Sequence, residues 1–243
     1  MLEASAAPTL SLEHTLLGLH HLPLVVGMDE VGRGALAGPV TVGAVAVGWG
    51  TNQPPAGLQD SKLLSAKRRA AMFPLIDSWA LAWSVGHASA DEIDSYGIIG
   101  GLRLAGHRAL DKLASLCGPV HQVILDGSHD WLSGPGLPRE MQPNAEKPCA
   151  VQADEMQPNA SVAGHLALPV SVTTQVKADM TCASVAAASV MAKLSRDAIM
   201  DELSREYPHY QWDHNKGYGT AAHRAAIGSY GPSDFHRRTW KLT

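Results

Sequence analysis

The 243-residue sequence predicts an α/β domain in which helices flank a mixed central sheet. Three observations support this fold class. Short apolar stretches alternate with segments of helical periodicity, and two early strands follow each other without an intervening helix. The first half of the segment 180–203 is nearly all Ala, Ser and Val, which suits a helix packed closely on a sheet. The composition agrees, since 45% hydrophobic and 17% charged residues are ordinary for a globular protein.

The strands are predicted from short runs rich in Val, Ile, Leu, Ala and Thr. The first run ends in the acidic pair Asp29 and Glu30, and a later one ends in Asp126. A glycine-rich turn, Gly32 to Gly34, separates the first strand from the second, which favours a hairpin. The predicted strands are 22–28, 39–47, 81–87, 121–125 and 169–176.

The helices are predicted from apolar periodicity and from capping residues. Ser65 is a candidate N-cap for the helix at 65–79, and Ser89 with Glu92 has the spacing of a capping box before the apolar pattern at 102–116. Two further helices are predicted at 180–203 and 220–227. The chain therefore divides into an N-terminal lead at 1–22, a main α/β domain at 23–205 and a C-terminal helical arm at 206–243.

Charge and cysteine content limit the class of protein. Nineteen Lys and Arg against 23 Asp and Glu give a net charge of −4, which excludes a strongly basic nucleic-acid coat but allows a local basic groove. The three cysteines form neither a disulfide framework nor a metal knuckle. Prolines interrupt the uncharged run at 34–59, and 1–22 lacks the pattern of a signal peptide. We expect a cytoplasmic monomer without a membrane segment or an evident protein partner.

The segment 129–168 differs from the rest of the chain. It is rich in Pro and Gly, lacks apolar periodicity and contains the hexapeptide Glu-Met-Gln-Pro-Asn-Ala twice. Between Asp126 and Asp179 there are seven acidic and three basic residues, so the net negative charge of the chain lies there. We predict an acidic loop insertion that is solvated and repels nucleic acid.

Four carboxylates are the candidate catalytic and metal-binding residues. Asp29, Glu30 and Asp126 end strands, and Asp179 precedes the helix of small residues. Carboxylates that meet at one sheet edge repel each other by about 4 kcal/mol per pair at ~4 Å and an effective dielectric of ~20, so a cation is expected between them. Mg²⁺ or Mn²⁺ prefers such oxygen ligands, and two ions can hold a phosphodiester and activate water.

Other interpretations of single residues remain open. Any one acid at a strand end can be a helix or loop cap, and Asp179 in particular suits a helix start. Gly32, Gly34 and Gly38 could form a dinucleotide loop, although their spacing is wrong and a strand, not a helix, follows. His209 and His214 have the spacing of half a zinc site but lack a matching pair of ligands.

Seven sequence blocks, in order, resemble the ribonuclease HII family, the type 2 ribonucleases H. The first is Gly27-Met-Asp-Glu-Val-Gly-Arg-Gly-Ala-Leu-Ala-Gly-Pro-Val, and its neighbours along the chain cover about residues 23–128 and 169–240. Several blocks in one order are far more specific than any single motif. The other blocks are Asp60-Ser-Lys, Ile124-Leu-Asp-Gly, Lys177-Ala-Asp, Ala186-Ala-Ala-Ser-Val-Met-Ala-Lys-Leu-Ser-Arg-Asp, Asn215-Lys-Gly-Tyr-Gly-Thr and His236-Arg-Arg.

The resemblance implies a ribonuclease H-like fold and metal-dependent endonucleolytic cleavage of RNA in RNA–DNA hybrids. It also implies incision at single ribonucleotides embedded in duplex DNA, with 3′-hydroxyl and 5′-phosphate products. Matched by position, Asp29, Glu30, Asp126 and Asp179 are the metal-binding carboxylates, with two Mg²⁺ or Mn²⁺ ions as cofactors. The matched substrate-binding residues are Gly32, Arg33 and Gly34, which sense the 2′-hydroxyl through the backbone, Lys62, which contacts phosphate, and Tyr218, which stacks on the sugar.

Two alternatives to this function stay open at the level of sequence. A metal-dependent DNA nuclease or resolvase on the same fold would keep the carboxylates without needing Gly32 to Gly34 and Tyr218. An inactive nucleic-acid-binding module would be expected to have lost a carboxylate, and all four are present. The chain departs from the family's pattern at Thr239-Trp240, where Ser-Phe is expected, and in the length of the segment 129–168.

Overall fold

A computed structural model describes residues 7–133 and 170–243, and within them a five-stranded mixed sheet forms the centre. Its strand order is β3-β2-β1-β4-β5. β2 pairs antiparallel with both β1 and β3, whereas β1, β4 and β5 are parallel. The predicted hairpin and mixed sheet are therefore confirmed. The strands are β1 Leu24–Val31, β2 Val40–Gly48, β3 Ala82–Ala88, β4 Gln122–Asp126 and β5 Ser171–Gln175.

Both predicted caps stand at the start of a helix. The side chain of Ser65 accepts a hydrogen bond from the Arg68 backbone N–H, and Ser89 and Glu92 form a complete capping box. The helix after Ser89 is longer than predicted and has a kink at Gly97, which takes a positive φ of 71°. The helices are α1 Ser11–His20, α2 Ala66–Trp79, α3 Ala90–Cys117, α4 Ala178–Thr181, α5 Ala183–Glu206, α6 Trp212–Asn215 and α7 Ala221–Tyr230.

The single helix predicted at 180–203 is wrong at its start. The chain forms the one-turn helix α4, becomes extended at Cys182 with φ −105° and ψ 123°, and then begins α5. Thr9 contributes to this break, because its carbonyl accepts the Ala183 N–H and its N–H donates to the Thr181 carbonyl. The interruption gives Asp179 a turn of its own, separate from the axis of the long helix.

Helices cover both faces of the sheet and create two apolar layers. On one face α3 packs against alternate residues of β2 and β4, and on the other α5 and α2 pack against the remaining ones. The small residues of α5 allow a very close approach, since a Cβ at Gly43 would lie 2.3 Å from the Ala188 carbonyl oxygen. This packing fixes where α5 begins relative to β1.

The two ends of the chain pack on this body. In α1, the buried Glu13 carboxylate accepts hydrogen bonds from the Ser184 backbone N–H and hydroxyl, so the N-terminal lead is attached to the start of α5. In the C-terminal arm, Trp212 and Ile227 share an apolar cluster with Leu36 and Met200. The arm therefore lies against both the end of α5 and the loop that follows β1.

Part of the predicted insertion belongs to the core. Trp131 and Leu132 are 1% and 3% exposed and lie against Gly106 of α3. Residues 134–169, which contain the repeated hexapeptide, lie outside the described residues, so the rest of that prediction stays a prediction. Among the helices in the described ranges, none is long and apolar enough to cross a membrane.

Candidate active site

The carboxylates of β1 and β4 lie at the same edge of the sheet. Met28 is paired in register with Leu125, so Asp29 and Asp126 each follow directly after neighbouring paired residues. The carboxyl ends of parallel strands form the edge at which α/β sheets carry their sites. Asp29 is buried, with 4% exposure, which is unusual for an aspartate and signals a special environment.

Asp179 is joined to this edge through the backbone. The Asp126 carboxylate oxygen Oδ1 accepts the N–H of Ala178 at 2.7 Å and that of Asp179 at 3.4 Å. Lys177, the preceding residue, has a left-handed φ of 60°, a conformation that L-residues rarely adopt outside functional or strained turns. Asp126 thus both belongs to the site and orients the turn that brings in Asp179.

Glu30 is arranged differently from the sequence-based expectation. The glycines were expected to end the strand beside Asp29 and Glu30, but β1 continues to Val31 and only then turns. The Glu30 carboxylate forms an ion pair with Arg33 at 3.3 Å and is partly exposed. Glu30 still lies close enough to raise the pKa of Asp29, and burial keeps its own pKa above the ordinary value.

The site carries an excess of negative charge. Burial raises the pKa of Asp29 well above its usual range, and the neighbouring Glu30, Asp126 and Asp179 raise it further. Burial and the charge of Asp126 also raise the pKa of Asp179. Lys62 is the nearby cation: its ammonium lies 3.6 Å from Asp179, and although burial lowers its pKa, the surrounding carboxylates hold it above the ordinary value.

This donor set fits a hard divalent cation. Carboxylate oxygens are the ligands that Mg²⁺ and Mn²⁺ prefer, and the mutual repulsion that raises the pKa of Asp29 is what such a cation would relieve. As placed, no three His, Cys, Asp or Glu side chains within residues 7–133 and 170–243 come together closely enough to hold a metal ion.

The loop that carries Lys62 is built from buried hydrogen bonds. Asp60 accepts the Lys62 N–H, and the Ser61 N–H donates to the Ser189 hydroxyl of α5. Arg69 of α2 donates to the carbonyls of Ser61 and Leu64. These contacts place a 71% exposed Lys62 side chain beside Asp179 on a rigid base.

The predicted substrate loop Gly32 to Gly34 follows β1 directly. Gly32 has a φ of 85°, and a Cβ there would lie 2.1 Å from Nε of Arg196, so only glycine fits. Arg33 and Gly34 are exposed, and nothing lies within 4 Å of an added Cβ at Gly34. The loop thus presents an open backbone at the same end of β1 as Asp29.

Tyr218 lies on the C-terminal arm and is held against this loop. Gly217 adopts a φ of 82°, and a Cβ there would lie 2.3 Å from the Ala37 carbonyl oxygen. The Leu36 N–H donates to the Gly217 carbonyl at 2.8 Å. The Tyr218 ring is 37% exposed and has the Arg196 guanidinium 5.5 Å from its centroid. The exposed ring is therefore available to a ligand, while its backbone is fixed.

A buried pair of imidazoles supports the turn at Tyr218. The Ser233 N–H donates to Nδ1 of His236, which leaves the proton on Nε2 to donate to Nε2 of His223 at 3.1 Å. His223 in turn donates from Nδ1 to the Tyr218 carbonyl at 2.9 Å, and its Nε2 also accepts from Trp212. Every donor then has an acceptor only if both rings are neutral.

This arrangement predicts a loss of stability on acidification. Burial, together with the charge that a protonated His223 would carry, lowers the pKa of His236 to about 4. Between the unfolded value near 6.5 and about 4, the unfolded chain binds the extra proton, so stability falls as pH falls and is fully present above ~6.5. For His236 the loss is at most about 3 kcal/mol. In a His236→Asn variant, the free energy of unfolding measured with urea should depend less on pH over this range.

His20→Asn is the matched control, because His20 is exposed on α1. It should leave the pH dependence of unfolding as it is in the parent. A dependence for His236→Asn equal to that of the parent would contradict the neutral pair. The buried carboxylates are present in all three proteins, so their titration cancels in the comparison.

Several residues that build this site are missing from the sequence-based prediction. They share a supporting role, and their partners are backbone groups or buried rings rather than opposite charges. Five of them lie inside sequence blocks that carry the family resemblance, which was the available signal. These five are Asp60, Ser189, Arg196, His236 and Arg237, and the two outside the blocks are Arg69 and His223.

The comparison with family models returns a match to Ribonuclease HII over residues 26–128 and 135–243. The match also spans most of the segment expected to be an insertion. Curated relatives agree. A ribonuclease HII of Streptomyces avermitilis is 38% identical over 96% of this chain and 83% of its own length, and one of Synechococcus sp. (strain WH7803) is 38% identical over 89% and 94%.

Solved structures share the fold. The RNase HII of Archaeoglobus fulgidus, determined in complex with PCNA, has a TM-score of 0.59 and 21% identity over 90% of this chain and 96% of its own. Bst-RNase HIII, determined with Mn²⁺, has a TM-score of 0.58 and 20% identity over 90% and 68%. At this identity the likeness concerns the fold, and it confirms the predicted ribonuclease H-like architecture.

Proposed function

This chain belongs to the ribonuclease HII family and is a nuclease, and we propose that it hydrolyses RNA in RNA–DNA hybrids and incises at single ribonucleotides in duplex DNA. The products would carry 3′-hydroxyl and 5′-phosphate ends. The observation that carries the proposal is the placement of Asp29 and Asp126 at one sheet edge, at the same end of β1 as the open backbone of Gly32 to Gly34, with the backbone N–H of Asp179 bonded to Asp126.

In this proposal Asp29, Glu30, Asp126 and Asp179 hold two Mg²⁺ or Mn²⁺ ions. When bound, the ions supply Lewis-acid stabilisation of the phosphodiester and a more acidic water. The chain's own contribution is to hold the carboxylates ready: burial and repulsion keep Asp29 poised for a cation, and Asp126 fixes the Asp179 turn. Lys62, held beside Asp179, meets the negative charge of the phosphate.

In this proposal, the residues that recognise RNA are Gly32, Arg33, Gly34 and Tyr218. The 2′-hydroxyl distinguishes a ribonucleotide from a deoxyribonucleotide, and a backbone without side chains can approach it closely. The exposed Tyr218 ring offers a flat apolar surface for the sugar. Support for these roles comes from the shared location of both elements, since Leu36 and Gly217 are hydrogen-bonded to each other.

The decisive test uses a DNA duplex that contains one ribonucleotide and its all-DNA twin, each with Mg²⁺ and with EDTA. We expect cleavage of the first duplex only, at the ribonucleotide, and none in EDTA. Equal cleavage of both duplexes would favour a DNA nuclease or resolvase. Binding without cleavage of either duplex or of a long RNA–DNA hybrid would indicate an inactive binding module.

A further inference from the structure

Two fully buried arginines lie beneath the substrate loop, and their hydrogen bonds end on backbone carbonyls. Arg237 donates to Gly32 at 2.6 Å, to Arg33 at 2.9 Å and to Gly38 at 3.2 Å. Arg196 donates to the carbonyls of residues on both sides of the site. These are Ala37 and Pro39 after the loop, and Lys216 in the turn before Tyr218.

The burial of two guanidinium groups costs folding free energy, so a contribution to stability alone does not explain this arrangement. Burial, together with the charge of Arg196, lowers the pKa of Arg237 to about 9. Within the described residues neither guanidinium forms an ion pair with a carboxylate. Buried charges without counter-charges generally stabilise a fold less than apolar side chains of similar size. The planar fork of arginine instead provides several donors in a fixed geometry, which suits the holding of a loop.

Arg237 determines which way the loop's N–H groups point. All peptide bonds in the described residues are trans, so the C=O of one residue and the N–H of the next point in opposite directions. With the Gly32 and Arg33 carbonyls turned inward to Arg237, the N–H groups of Arg33 and Gly34 point outward. Both residues are exposed, and neither N–H has a hydrogen-bond partner among residues 7–133 and 170–243.

We propose that Arg237 and Arg196 are positioning residues for ribose recognition. Arg237 aims the N–H donors of Arg33 and Gly34 at the substrate's 2′-hydroxyl, and Arg196 fixes Tyr218 relative to that loop. The inference rests on the proposed function and adds the residues that determine its specificity. Polarisation of the two carbonyls by a buried cation also makes the following N–H groups better donors.

The test measures affinity in EDTA by fluorescence anisotropy, for the duplex with one ribonucleotide and for its all-DNA twin. Arg237→Lys keeps the charge but cannot hold three carbonyls at once. We expect the Kd for the all-DNA duplex divided by the Kd for the ribonucleotide duplex to fall by about tenfold, toward one, because two oriented donors are lost. The Kd for the all-DNA duplex itself should change by less than about threefold. Arg196→Lys should act in the same direction.

The matched control is Arg108→Lys, in which an arginine of α3 that bonds the His87 carbonyl and Glu92 loses the same planar fork. It should lower stability without changing the Kd ratio. An unchanged ratio in a folded Arg237→Lys protein would overturn the inference. Equal affinities of the unaltered protein for the two duplexes would overturn it as well, whereas failure of that protein to cleave the ribonucleotide duplex would overturn the proposed function.

Gly34→Pro tests the same inference without touching a buried residue. Proline removes one of the two N–H donors, and nothing lies within 4 Å of a Cβ added at this position. Gly34→Ala keeps the donor and serves for comparison. The Kd ratio should fall more for proline than for alanine, and equal ratios for the two variants would contradict a role for this N–H.

Discussion

Asp126→Asn is expected to abolish cleavage of RNA–DNA hybrids while the protein still folds and binds them. The fold should survive because the asparagine amide oxygen can take the place of Oδ1, which accepts the N–H groups of Ala178 and Asp179. Catalysis should not, because a neutral amide is a poor ligand for Mg²⁺ and removes one of the charges that gather the cations. We expect at least a ~10³-fold lower rate, equivalent to about 4 kcal/mol of transition-state stabilisation.

The measurement is the single-turnover cleavage rate with Mg²⁺, together with hybrid affinity in EDTA and the urea-unfolding midpoint. Asp77→Asn is the control for the substitution itself, since Asp77 on α2 bonds only Trp83 in its described contacts and lies outside the site. It should cleave at the parent rate. A rate for Asp126→Asn within tenfold of the parent would remove Asp126 from the catalytic set, whatever the fate of the other carboxylates.

The carboxylate site could be predicted because its members can be identified from the amino-acid sequence alone. Asp29 and Asp126 each close an apolar run, and parallel pairing of those runs brings both to one edge, as the register of Met28 with Leu125 shows. The strand order that makes β1 and β4 neighbours is not contained in either run. It follows from the packing of α3 and α5 on opposite faces, which only the whole fold determines.

The supporting residues could not be predicted in this way. Apart from Lys216, the carbonyls that Arg196 and Arg237 bond lie more than 150 positions away along the chain. A carbonyl is present at every residue, so no side-chain pattern marks the partner. The His223–His236 pair is similar, because its roles depend on tautomers set by Ser233 and Tyr218. The break at Cys182 also escaped prediction, since hydrogen bonds from distant Thr9 stabilise it.

Gly27→Ala should cause a large loss of stability. A Cβ at Gly27 would lie 2.4 Å from both the Ser184 carbonyl carbon and the Val185 backbone nitrogen, so β1 and α5 would have to separate. A side chain can relieve such a clash by changing its rotamer, but the backbone atoms of two packed elements cannot. We expect a decrease of about 3 kcal/mol or more in the free energy of unfolding, at the upper end of the cost of overpacking.

The same separation should reduce activity in the molecules that remain folded. Asp29 lies two residues after Gly27, and Asp179 lies four residues before Ala183, where α5 begins, so moving α5 from β1 moves one carboxylate away from the other. Gly50→Ala is the matched control, because nothing lies within 4 Å of its added Cβ, and it should change the free energy of unfolding by no more than about 0.5 kcal/mol.

The measurements are urea unfolding and the cleavage rate per folded molecule. A Gly27→Ala protein with the stability and rate of the Gly50→Ala control would mean that α5 moves freely on the sheet, and close packing would then not be what holds Asp179 beside Asp29.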